Sequence, residues 1–194
     1  MDAPELGTSM IIEASADRRR LHDGAMSDGR MEDAVRAYER DGIGGLRAFV
    51  ASPAGESWLD EVVAGSADTR ASVAATWLLR AHVEAGEELG RARTAALLRA
   101  LDRVDDDDAR LHLCQTVASL DVPARNAEQL ARFLRAGLAG DHKLVRAWAV
   151  DGLHRLARQH ERYRGEALQA LGRASRDPAA SVRARVRRIE KERG

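Results

Sequence analysis

Asp141-His142-Lys143-Leu144-Val145-Arg146-Ala147-Trp148-Ala149-Val150-Asp151-Gly152-Leu153 is the stretch that decides how this chain folds. Counting from Arg146, the third and seventh positions are apolar, Ala149 and Leu153. That spacing marks the buried face of an α-helix. The pattern recurs without gaps at Arg70, followed by Val73 and Trp77, and at Arg110, followed by Leu113 and Val117. It returns once more at Arg183, where Val186 keeps the third position and Glu190 breaks the seventh. The four arginine anchors stand 40, 36 and 37 residues apart. Self-similarity at such a period is the mark of a repeat architecture.

Twelve residues before each anchor lies Trp58, Leu98, Leu134 or Leu171, each inside another amphipathic stretch. Each unit therefore reads as a helix–turn–helix pair. Turn residues fall between the helices, at Gly65-Ser66, Asp105–Asp108, Gly140-Asp141 and Asp177-Pro178. Asp and Ser in these turns are expected to cap the helix that follows, and Pro178 suits a first helical turn. The segments Asp141–Ala149, with Val145-Arg146, and Asp177–Ala184, with Val182-Arg183, resemble the HEAT-repeat signature. The resemblance covers roughly residues 54–194 and is looser at Arg70 and Arg110, which valine does not precede. It implies an all-α, right-handed α-α superhelix. In that arrangement about four HEAT-like hairpins form a solenoid behind N-terminal cap helices, and the second helices line its concave side. It also implies a class of function, the binding of other macromolecules.

The ends depart from the repeat, as the ends of such arrays do. Residues 1–29 combine Gly7, Gly24, Gly29 and the Arg18–Arg20 run with few apolar residues, and are expected to be mostly disordered. Residues 30–194 are expected to form a single domain, with Val35, Tyr38, Leu46, Phe49 and Val50 in a cap over the first hairpin. A formal net charge of zero argues against a general nucleic-acid or membrane-surface binder. The charge is nevertheless uneven. Residues 141–194 hold 14 Lys+Arg against 7 Asp+Glu, a surplus of +7 that leaves −7 for residues 1–140. Cys114 is the only cysteine, so an intramolecular disulfide is impossible and a reducing, cytoplasmic setting is expected. No apolar run approaches the ~20 residues of a membrane helix.

The arginine ladder has two readings. One is a row of phosphate contacts. The other, which we favour, is pairing with turn aspartates such as Asp105, Asp141 and Asp177. If the third and seventh positions are buried, the second, fifth and ninth lie opposite and are expected to be exposed. That stripe supplies the candidate partner-binding residues His112, Gln115, Trp148, Asp151, Arg155, Arg185 and Arg188. Trp148 reads either as an exposed hot spot or as a side chain packed under the next unit's helix. The expected function is a non-catalytic scaffold for a protein or peptide, with an acidic partner as one expectation. Two alternatives stand beside it: self-assembly through the repeat ends, and nucleic-acid binding akin to HEAT-like alkylpurine DNA glycosylases, whose Trp–Asp pairing Trp148 and Asp151 resemble faintly.

No catalytic, cofactor or metal residue is expected. HEAT-like metal hydroxylases carry repeated His-Glu pairs, whereas His160-Glu161 is single. His112-x-Cys114 lacks the further ligands of a zinc site. Asp105–Asp108 lacks the glycine and terminal glutamate of a calcium loop. Gly42-Ile43-Gly44-Gly45 lacks the lysine of a phosphate-binding loop.

Overall fold

The computed structural model describes residues 29–51, 56–117 and 119–193. The segment expected to be disordered, residues 1–29, lies outside the described residues except for Gly29. The described residues form ten α-helices and no strand: α1 (Arg30–Asp41), α2 (Ile43–Ala51), α3 (Glu56–Gly65), α4 (Ser72–Glu84), α5 (Gly90–Ala100), α6 (Asp107–Val117), α7 (Ala127–Ala139), α8 (Lys143–Gln159), α9 (Arg164–Ala174) and α10 (Ala180–Arg193). No helix among them is long and apolar enough to cross a membrane.

Each arginine anchor lies within or just before the second helix of its pair. These second helices pack in succession, α4 on α6, α6 on α8 and α8 on α10. Among the first helices, α3 packs on α5 and α5 on α7, while α9 packs on α8. One continuous core fills the space between them, with Leu79, Leu97, Leu98, Leu113, Leu134, Leu153 and Ile189 fully enclosed. At the N-terminal side, α1 packs on α3 and α4, and α2 on α4. Phe49 stacks on Trp58 with ring centroids 6.2 Å apart, and the Arg30 guanidinium lies 4.8 Å from the Trp58 ring.

Turn aspartates start several helices. Asp68 Oδ1 accepts from the amides of Arg70 and Ala71, each at 2.9 Å. Asp106 does the same for Asp108 and Ala109, at 2.8 and 3.0 Å. Asp177 accepts from Ala179 at 2.8 Å. Each satisfies amide donors that a helix leaves unpaired at its start. At α8 the cap is His142, whose Nδ1 accepts from the Val145 amide, rather than Asp141. Two glycines let α7 and α8 approach closely. A Cβ on Gly152 would stand 2.7 Å from Leu134, and one on Gly137 would stand 3.2 Å from both Ala149 and Val145.

The expected buried face is present on α6, α8 and α10, where Leu113, Val117, Ala149, Leu153 and Val186 are all buried. Ile189 takes up the apolar role that Glu190 abandons. On α4 the face is rotated. Val73 and Trp77 are half-buried, whereas Ala74, Ala75, Leu78 and Leu79 are enclosed. Neighbours on several sides explain this, since α4 touches α1, α2, α3 and α6.

Candidate interaction face of the second helices

The same crowding corrects the expectation of an exposed stripe. His112 is 5% exposed and Asp151 2%, and Ser72, Ala75 and Leu79 at equivalent positions are also buried. A second helix packed between the preceding and following second helices has three faces covered, so its second and fifth positions meet a neighbour rather than solvent. Trp148, Arg155, Arg185 and Gln115 are half-buried, and Arg188 is exposed.

At the junction of α8 and α10 these residues form one assembly. The Arg185 guanidinium lies over the Trp148 indole, 3.5 Å from the ring centroid. Such a cation–π contact gains strength when water is displaced from it. Arg185 Nη1 also reaches Asp151 Oδ2 at 3.3 Å, and Arg155 Nε donates to Asp151 Oδ1 at 3.0 Å. The buried carboxylate is therefore paired on both oxygens, as a charge removed from water must be. Burial lowers the Arg185 pKa below its ordinary value, with Asp151 opposing. Glu192 joins the outer edge, accepting from Arg188 Nε at 3.2 Å and lying 3.5 Å from Arg155. Trp148 thus sits half-buried beneath an arginine of the next unit, between its two sequence readings.

Between α4 and α6 a neutral counterpart takes the same place. Thr76 Oγ1 lies 2.7 Å from the Ser72 carbonyl and 3.2 Å from His112 Nδ1. The Thr76 hydroxyl and His112 Nδ1 thus share a hydrogen bond whose direction follows the tautomer of the ring. Burial, assisted by the nearby Arg80 charge, pushes the His112 pKa down to about 4. Arg80 Nη1 donates to Gln115 Oε1 at 2.9 Å. Burial pushes the Cys114 thiol up to about 12, so it stays protonated at neutral pH and is a poor nucleophile.

The anchor arginines bind their own turns. Arg146 Nη1 donates to the carbonyls of Gly140 and Asp141 at 3.1 and 2.7 Å, while its Nε and Nη2 grip Asp177 of the next turn at 3.0 and 3.2 Å. Arg183 Nη1 takes the carbonyls of Asp177 and Pro178 at 2.6 and 2.8 Å. Arg110 Nε takes Val104 O at 2.9 Å, with Asp105 more distant at 3.7 Å. Arg70 instead pairs with Glu39 and Glu32 of α1. Carbonyl oxygens are thus as prominent as the expected carboxylates. A guanidinium fork satisfies the last acceptors of one helix while tying the turn to the next.

No protein-family profile, no curated protein and no solved structure matches this chain. The internal repeat itself supplies the comparison in their place. Pairs between first helices and the turns that end them recur 30 to 33 residues apart: Arg93 with Asp60 at 2.7 Å, Arg132 with Asp102 at 2.8 Å, and Arg135 with Glu166 at 2.7 Å. Thr76–His112, Arg80–Gln115 and Asp151–Arg185 are the counterparts between second helices. Each links one unit to the next.

Two features lie outside the candidate residues that the sequence supplies. Glu192, at the ninth position of the last unit, is a hub of the α8–α10 assembly. Beside it opens a cleft of ≈ 410 Å³ between α8, α9 and α10, with His154, Arg158 and Leu168 in its lining. Leu168 is 46% exposed, an apolar side chain facing water. Among the described residues no group of three or more His, Cys, Asp and Glu is placed to hold a metal ion. His160 is engaged elsewhere, its Nε2 lying 2.8 Å from the Val122 carbonyl.

Proposed function

We propose that this chain is a non-catalytic HEAT-like scaffold whose second helices present a protein- or peptide-binding face centred on Trp148, Arg155, Arg185 and Arg188. The observation that carries the reading is the stacked Arg185. Its guanidinium is already immobilised over Trp148 and tethered to Asp151, so a partner that meets it orders little further. Arg188, with 69% of its side chain exposed, stands beside it as a group able to steer an acidic partner. Asp151 supports the face from below and is not a contact residue. Its two oxygens are taken by Arg155 and Arg185, which also makes it a poor general base for glycosylase-like chemistry. His112 and Gln115 belong to the α4–α6 junction, where they hold units together.

The test is affinity capture from lysate with nuclease present, comparing the wild-type chain with Arg188→Ala and with Arg188→Glu. The reading predicts a partner protein retained by the wild type, weakened by the first variant and lost from the second at unchanged helicity. A ligand that disappears on nuclease treatment contradicts it. That result favours nucleic acid at the C-terminal helices, where the exposed Arg173, Arg176, Arg187 and Lys191 make no ion pair among the described residues.

A further inference from the structure

The two ends of the helical array finish differently. On the last helix, α10, the residues turned to solvent include Ala184, Arg187, Arg188 and Lys191, the polar outer face expected where a repeat array stops. At the other end α2 carries two large apolar side chains in water. Ile43 and Val50 are each 44% exposed, and a separation of two helical turns puts them on one face. Leu144 and Leu168, the other large exposed apolar residues among the described ones, stand singly on α8 and α9.

Arg47 lies between Ile43 and Val50 on that face, exposed and without an ion pair among the described residues. Gly44 leaves the backbone bare beside Ile43, with nothing within 4 Å of the position a Cβ would take. Two glycines near its start give α2 low intrinsic helix propensity, so the helix depends on what packs against it.

An occupant lies close in the chain. Arg30 Nη2 donates to the Phe49 carbonyl at 3.4 Å, so residues 1–28 join the structure beside the Val50 end of this face. Within them Met10-Ile11-Ile12 is the only run of three apolar residues, and Glu13 follows it directly. The 16 residues between Ile12 and Gly29 can span up to ~50 Å, whereas the face from Val50 to Ile43 is only about 10 Å long. A second copy suits the face less well. Two-fold pairing of α2 with α2 sets Ile43 opposite Val50 and brings Arg47 against Arg47 at the centre, a like-charge contact.

We propose that Met10-Ile11-Ile12 docks on the Ile43–Val50 face of α2, with Glu13 pairing with Arg47, and so caps the N-terminal end of the array. The docked run takes both exposed side chains out of water and steadies a helix of weak propensity. The carboxylate of Glu13 answers the one cation on the face. The cap goes beyond the scaffold reading and shares no residue with the Trp148–Arg188 face, so the two fail separately.

The experiment is cysteine cross-linking of the full chain with a short bismaleimide at low protein concentration. Cys114 is buried and does not compete. Ser9→Cys/Ala48→Cys leaves every docking side chain in place. It is expected to cross-link within one molecule at a yield about tenfold above that of Ser9→Cys/Gln169→Cys. Adding Glu13→Arg lowers the yield, and combining Glu13→Arg with Arg47→Glu restores it. In parallel, Ile11→Ser/Ile12→Ser is expected to speed amide exchange of α2 by about tenfold while α6 and α8 are unchanged. Ala48, Arg47 and Gln169 are exposed, so these variants alter no core side chain of the described residues. The proposal is overturned by equal yields from the two cysteine pairs, or by α2 exchange that ignores the serine substitutions. Cross-links that join separate molecules also overturn it and make a second copy the occupant.

Discussion

Acidification from pH 7 to pH 5 is a direct probe of the α4–α6 junction, because His112 is neutral there for a physical reason. The ring is buried beneath Thr76 and near Arg80, and its pKa is pushed down to about 4 from an ordinary value of 6.5. Between those two values the unfolded chain holds a proton that the folded chain refuses. Stability is therefore complete above pH 6.5 and falls as pH drops toward 4. At pH 5 the loss works out at about 2 kcal/mol, from the ratio of protonation in the two states. For a chain of this size that is a fall in Tm of roughly 5 °C. Asp177, Glu39, Glu128 and Glu192 are held below their ordinary values by arginine partners, and their stabilisation is lost only at lower pH. The window from pH 6.5 to 5 thus lies above these carboxylates, and comparison with a variant at residue 112 isolates that histidine from the others. The assay is urea denaturation at a series of pH values for wild type and His112→Asn, which keeps a hydrogen-bonding side chain beside Thr76 but does not titrate. Wild type is expected to lose most of the ~2 kcal/mol across the window and the variant a small part of it. An identical slope in both proteins, or stability that rises on acidification, refutes the argument.

Three further outcomes follow from the contacts. Arg146→Ala removes a guanidinium that joins two carbonyls to Asp177, and is expected to lower stability by about 2 kcal/mol in denaturant melts. Arg185→Ala uncovers Trp148 and leaves Asp151 with one partner. It is expected to cost about 1–3 kcal/mol and to shift tryptophan emission to the red. Gly45→Ala places a methyl against the Ala37 carbonyl, which is backbone and cannot swing aside, so its destabilisation should be visible as a lower Tm despite the better helix propensity of alanine.

The parts of this structure that the sequence makes legible are those governed by spacing. Arginine anchors at nearly constant intervals locate all four hairpins, and the third and seventh positions identify the enclosed face of α6 and α8, the third alone that of α10. The same rule fails at α4, because Val73 and Trp77 follow the repeat register while α1, α2, α3 and α6 together select a different face. It fails again for His112 and Asp151. Helical periodicity distinguishes one side of a helix from the other, but it does not count how many neighbours that helix has. In a helix covered on three sides, polar residues face inward and find partners one repeat away, as His112 does in Thr76 and Asp151 in Arg185. Trp148 is the intermediate case. Its exposure depends on the Arg185 rotamer, and the spacing of 37 residues that brings Arg185 over Trp148 is itself the repeat length.

Hydrogen–deuterium exchange of the chain alone and in complex with its captured partner tests the scaffold reading most directly. The account predicts new protection at the solvent-facing amides of α8 and α10, around Trp148, Arg155, Arg185 and Arg188, with the first helices α5 and α7 unchanged. Protection confined to the first helices, or an exchange pattern identical with and without the partner, contradicts it.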